Sequence, residues 1–151
     1  MTDPVVPRAA RLLGYAGLIP FILISVGLWI LPLVYAGFLH AALIGYGLVI
    51  VSFMGGVQWG LGIAKPLDDG TTWRVLSQSV APPLIAWFGA MGPFPWQYPA
   101  LILAFLLVIW VDFKLVRQDA APTWYPLLRV PLTAGVVVCL VGGWAHALLM
   151  R

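Results

Sequence analysis

Five stretches of this chain run for about twenty residues or more with almost no charge: Leu13–Leu33, Ala36–Gly62, Trp73–Met91, Gln97–Val116 and Tyr125–Met150. A helix needs about 20 mostly apolar residues to cross the hydrocarbon core of a bilayer. In lipid every backbone N–H and C=O must find its partner within the protein, so runs of this kind are excluded as strands of an open, lipid-facing sheet. The expectation is an all-α, polytopic membrane bundle of five transmembrane helices, one domain over residues 1–151, with helices near 13–33, 36–62, 73–91, 97–116 and 125–150.

Composition agrees. Of the 151 residues 62% are hydrophobic and 9% charged, against about 25% charged in soluble domains. So little polar surface does not cover a water-soluble globule. The eight basic residues sit near the ends of the apolar runs, which reads as topology and headgroup contact and excludes a nucleic-acid stripe. The single cysteine, Cys139, rules out an intrachain disulfide and reads as a small buried hydrophobe. Arg8 and Arg11 precede the first run as in a signal peptide, but the run is too long for an h-region and is expected to be a retained span.

The loops set the threading. Arg8 and Arg11 stand before the first helix, Lys65 and Arg74 flank the second loop, and Lys114, Arg117 and Arg129 flank the fourth. The first and third loops carry no charge. Basic residues thus alternate with each crossing, and the positive-inside rule predicts a cytoplasmic N-terminus and an outer C-terminus. In the second loop Asp68-Asp69-Gly70 suggests a turn, with Thr71 or Thr72 as the helix cap. Trp73, Trp96, Tyr98 and Trp124 fit an interfacial aromatic belt. Pro82 and Pro83 predict a kink in the third helix that frees carbonyls. No internal repeat suggests an inverted-repeat transporter.

Three constellations are candidates for function. On helix 2, Gly45, Ser52, Gly56 and Gly60 lie along one stripe and suit close helix packing, within the bundle or with another chain. The opposite side carries His40, Gly47, Met54 and Gln58, which predicts a central helix with no face left for lipid. At the inner end Asp112 and Arg129 fall at similar depth on neighbouring antiparallel helices, level with Gln58, Trp59 and Gln78. That set reads either as a structural ion pair or as a ligand-binding site for a small anionic or quinone-like headgroup, anchored by Arg129. At the outer end His40 and His146 fall at matching depth, the minimum for the axial pair of a haem b or for a metal. Catalytic patterns are missing: there is no HExxH, CxxC or phosphate loop, and no Glu at all, so enzymatic activity is not expected.

The stretches LGYAGLIPF (Leu13–Phe21), FMGGVQWG (Phe53–Gly60) and PTWYPLLRVPLT (Pro122–Thr133) resemble the small membrane proteins grouped as domain of unknown function 3429, the transmembrane protein 69-like proteins. The resemblance covers essentially the whole chain and implies membrane residence without supplying an activity. The family's bacterial and organellar distribution implies a bacterial inner (plasma) membrane here. The leading expectation is a small non-enzymatic protein among membrane lipids, acting as an accessory or assembly subunit of a larger energy-transducing membrane complex or self-associating. Binding or transport of a lipid, quinone or anion at the inner cluster is the alternative, and a haem or metal site at the outer side a further one.

Overall fold

Pro32 ends the first helix sooner than hydropathy alone suggests, because a residue before proline is pushed out of the helical region; Leu31 is extended at φ −90°, ψ 156°. The computed structural model describes residues 5–64 and 68–150. It contains α1 (Arg8–Ile30), a 3-10 turn (Leu33–Tyr35), α2 (Ala36–Ala64), α3 (Asp69–Ala90), α4 (Gln97–Arg117) and α5 (Tyr125–Leu149). Lys65 and Arg151, which enter the charge reading of the loops and the C-terminus, lie outside the described residues.

α3 starts four residues before the expected Trp73. The reason is its cap: the Asp68 carboxylate accepts the Thr71 backbone N–H at 3.0 Å, so Asp68 takes the role expected of Thr71 or Thr72. Hydrogen bonding from the Thr71 side chain, and then from its backbone N–H, holds the Asp68 carboxyl below its usual range. α4 ends with Asp119 at φ 54°, while the N–H of Ala120 bonds the Leu115 carbonyl at 2.8 Å and that of Asp119 bonds Val116 at 3.1 Å. This is the Schellman pattern, with Asp in the left-handed position it tolerates better than most residues. It folds α5 back against α4.

Four helical stretches among the described residues are long and apolar enough to cross a membrane: Arg8–Ile30, Leu33–Ala64, Gln97–Arg117 and Tyr125–Leu149. α3 has the length, 22 residues, but not the hydropathy. Thr71, Thr72, Arg74, Ser77, Gln78 and Ser79 fill its first half. Four spans rather than five are therefore defined by composition.

Each helix runs antiparallel to the one before it. Side-chain neighbours fix the register: Gly27 meets Leu39 across α1 and α2, Gly55 meets Ser79 and Pro83 across α2 and α3, and Gly143 meets Tyr98 across α4 and α5. α1 and α5 lie parallel, with Gly14 against Leu132, Gly135 against Leu18 and Ser25 Oγ donating to the Cys139 carbonyl at 3.0 Å. α2 touches α1, α3, α4 and α5, and α3 packs along α2 and α4. The centre holds Phe21, Leu43, Tyr98, Phe105 and Leu140, all buried. Leu12, Phe38, Trp73, Leu103 and Val138, one from each helix, face outward. An exterior of this kind is stable only in lipid.

The face by which α2 packs is not the expected one. A methyl group on Gly45, Gly56 or Gly60 would have nothing within 4 Å, and Ser52 is exposed. The close approaches are on the polar side instead. A Cβ at Gly47 would lie 2.5 Å from Leu101, at Gly55 2.7 Å from the Ser79 carbonyl, and at Gly62 2.7 Å from Val75. α2 is thus central but keeps an outward small-residue stripe. The Ser79 carbonyl loses its usual helical donor to Pro83 and lies against Gly55. α3 nevertheless continues through both prolines.

Candidate functional site

The short α4–α5 connection brings Asp112 and Arg129 together near one end of the bundle, which also carries Arg8, Arg11, Arg74, Lys114 and Arg117. Arg129 Nε donates to Asp112 Oδ2 at 2.8 Å, and Gln58 Nε2 donates to Asp112 Oδ1 at 2.7 Å and to the Val108 carbonyl at 2.9 Å. All three side chains are buried, Gln58 completely. Removing two charges from a polar medium is costly, and the direct pair with the added amide bond offsets much of that cost. The sequence-predicted cluster therefore exists with Gln58, Asp112 and Arg129. Trp59 and Gln78 do not join it: Trp59 is half exposed, beside Trp73 and Leu76, and Gln78 lies in a shallow recess with Arg74, Lys114 and Arg117.

Both Asp112 oxygens are bonded, but not every polar atom around them is. Among the described residues, Arg129 Nη2, Thr133 Oγ1 and Gln58 Oε1 are buried without a hydrogen-bond partner. Arg129 and Thr133 line a cavity of about 110 Å³ between α1, α2, α4 and α5, whose other walls are apolar and include Gly17, Phe21, Met54 and Val136. Leu13 and Phe53 also line it and are largely exposed, so its mouth opens on the apolar exterior. Thr133 lies one helical turn from Arg129, on the same face of α5. Its spacing from Arg129 is readable in the sequence, but the cavity that gives the pair its meaning is not.

At the opposite end His40 and His146 meet as their depths suggested. His40 Nε2 and His146 Nδ1 share a hydrogen bond of 3.2 Å, and His40 Nδ1 shares one of 2.6 Å with the Tyr98 hydroxyl. All three residues are buried, so Tyr98 is not part of an interfacial belt. Axial histidines stand on opposite sides of a porphyrin plane, whereas these two rings bond each other directly and leave no gap for one. A cavity of about 430 Å³ adjoins the pair and is also lined by Phe94, Gln97 and Met150.

An all-helical bundle with an apolar exterior and a buried polar cluster at each end defines a multi-pass membrane protein. The chain belongs to the family described as Protein of unknown function (DUF3429), which matches residues 6–145. It is similar to Transmembrane protein 69 of Xenopus tropicalis, with 32% identity over 136 residues that cover 90% of this chain and 53% of that protein. The chain thus spans about half the length of this relative. No solved structure matches.

Proposed function

We propose that the protein holds a lipid-soluble molecule with a neutral carbonyl head at the Arg129 end of the bundle. The observation that carries this reading is the buried, unpartnered donor pair, Arg129 Nη2 and Thr133 Oγ1, lining an apolar cavity. Leaving a buried donor unmade costs about 1–3 kcal/mol, more for a charged group, and a ligand acceptor removes that cost. Charge balance narrows the class. Asp112 already neutralises Arg129, so a carboxylate or phosphate would add an uncompensated negative charge, whereas an ester or quinone carbonyl adds none. The volume, about 110 Å³, suits one ring or a short chain segment; an engineered cavity of about 150 Å³ takes benzene.

The alternating register of the helices and the gathering of basic residues at one end support five crossings with that end on the cytoplasmic side. The head would then lie near headgroup depth.

The test is equilibrium binding to the full chain in mild detergent, using a benzoquinone with one isoprene unit and, for comparison, decanoate. The quinone is expected to bind, and Thr133→Val to weaken it about tenfold, the loss of one hydrogen bond. Decanoate binding as tightly as the quinone, or Thr133→Val and Arg129→Met both binding like the parent, would sink the reading. A second reading, an accessory or assembly subunit of a larger membrane complex, is favoured by the open Gly45, Gly56 and Gly60 stripe, which suits a helix of another chain. Native mass spectrometry after gentle extraction tests it; a solitary monomer counts against it.

A further inference from the structure

The polar cluster at the other end of the bundle has a different chemistry. We infer that His40 and His146, with Met150 completing the set, form a site for a monovalent soft metal ion of the Cu(I) type. His40 Nε2 and His146 Nδ1 point at one another across 3.2 Å. Two metal–nitrogen bonds of about 2.0–2.1 Å at a tetrahedral angle hold their nitrogens roughly 3.3–3.4 Å apart. An ion at that angle lies off the line between the two nitrogens, so binding takes a few tenths of an ångström of opening and a tilt of both rings.

The second nitrogen of His40 is already held. Tyr98 OH sits 2.6 Å from His40 Nδ1, the orienting contact that metal-bound histidines characteristically have. With Nδ1 protonated and donating to the Tyr98 oxygen, the Nε2 lone pair is free for the ion. His146 likewise presents Nδ1 when its proton is on Nε2. Each imidazole is neutral before and after, so binding moves the His40 proton from one ring nitrogen to the other and releases none.

The identity of the ion follows from what surrounds the pair. Among the described residues no third His, Cys, Asp or Glu joins it, so no carboxylate is there to balance charge. The cost of burying an ion in a low-dielectric medium rises with the square of its charge, which favours a monovalent ion over Zn²⁺. The one further soft donor is Met150, which lines the same cavity as His40 and His146. Two imidazoles and a thioether are a donor set for Cu(I). Met150 is 53% exposed, which leaves the site reachable from outside the bundle.

The test is anaerobic titration of the full chain in detergent with Cu(I) against a chromogenic chelator, with X-ray absorption on the loaded protein. One Cu(I) per chain is expected, with imidazole and sulfur scattering, and Zn²⁺ held at least 100-fold more weakly. His146→Ala should lower Cu(I) affinity at least 100-fold. Met150→Leu, a volume-conserving change at a half-exposed position, should lower it about tenfold and remove the sulfur shell. Failure to retain one Cu(I), absence of imidazole scattering in the parent, or unchanged affinity in His40→Ala/His146→Ala each overturns the inference. Should the histidine variants fail to fold, the parent spectrum and Met150→Leu decide it alone.

Discussion

Thr133 and Asp112 are both buried polar residues beside Arg129, yet substitution should move stability in opposite directions. The buried Thr133 hydroxyl has no hydrogen-bond partner among the described residues. Replacing it with the near-isosteric valine removes an unmade hydrogen bond, so Thr133→Val should stabilise by about 1 kcal/mol. Asp112 holds one bond from Arg129 and one from Gln58. Asp112→Asn leaves a buried guanidinium without its counter-charge and should cost about 3–5 kcal/mol. Asp112→Leu/Arg129→Met removes both charges and should recover most of that loss. Reversible unfolding in mixed micelles measures all three. A destabilised Thr133→Val would mean that the hydroxyl has a partner after all.

At the scale of the helix, adjacent glycines of α2 make the sharpest comparison. A methyl at Gly55 meets the Ser79 carbonyl at 2.7 Å, a backbone atom that cannot swing aside, so α2 and α3 must part. Overpacking of this kind costs about 1–3 kcal/mol. At Gly56 a methyl meets nothing within 4 Å, and alanine favours the helix by up to about 1 kcal/mol. Thermal midpoints in detergent should therefore fall for Gly55→Ala and hold or rise for Gly56→Ala.

The same pair shows how far the sequence could be read. Helical spacing separated two faces of α2 correctly, one with Gly45, Ser52, Gly56 and Gly60, the other with His40, Gly47 and Gln58. It did not say which face the bundle covers, because that depends on where α3 and α4 lie. The pairing of Asp112 with Arg129 was legible because a short connection forces antiparallel neighbours at matching depth. The meeting of His40 with His146 was legible from depth alone. Tyr98 and Thr133 were not, since each acquires its meaning from a side chain on another element or from a cavity no local pattern encodes. Asp68 displaced Thr71 as the cap for a local reason, its reach to the N–H three residues on.

For the molecule as a whole, the number of crossings turns on α3, whose polar first half keeps it short of the hydropathy of the other four helices. The five crossings proposed above require that it cross. α3 runs antiparallel to both α2 and α4, with Gly55 of α2 against Ser79 and Pro83, and Gly89 against Ala100 of α4. Both halves of α3 face the bundle, Val75 and Ser79 in the first and Pro82 and Ala86 in the second, while Val80, Leu84, Trp87 and Phe88 are exposed. The five-crossing proposal predicts that the two ends of α3 lie on opposite sides of the bilayer. Single cysteines placed at Arg11, Val34, Arg74, Pro93 and Arg117, in a Cys139→Ala background, make the test. An impermeant maleimide applied to intact cells should label positions 34 and 93, while 11, 74 and 117 react only after permeabilisation. Labelling of positions 74 and 93 from the same side would mean that α3 does not cross; the α2–α3 and α3–α4 registers would then be those of a re-entrant helix, and the Arg129 cavity would lie at a different depth from the one its basic neighbours indicate.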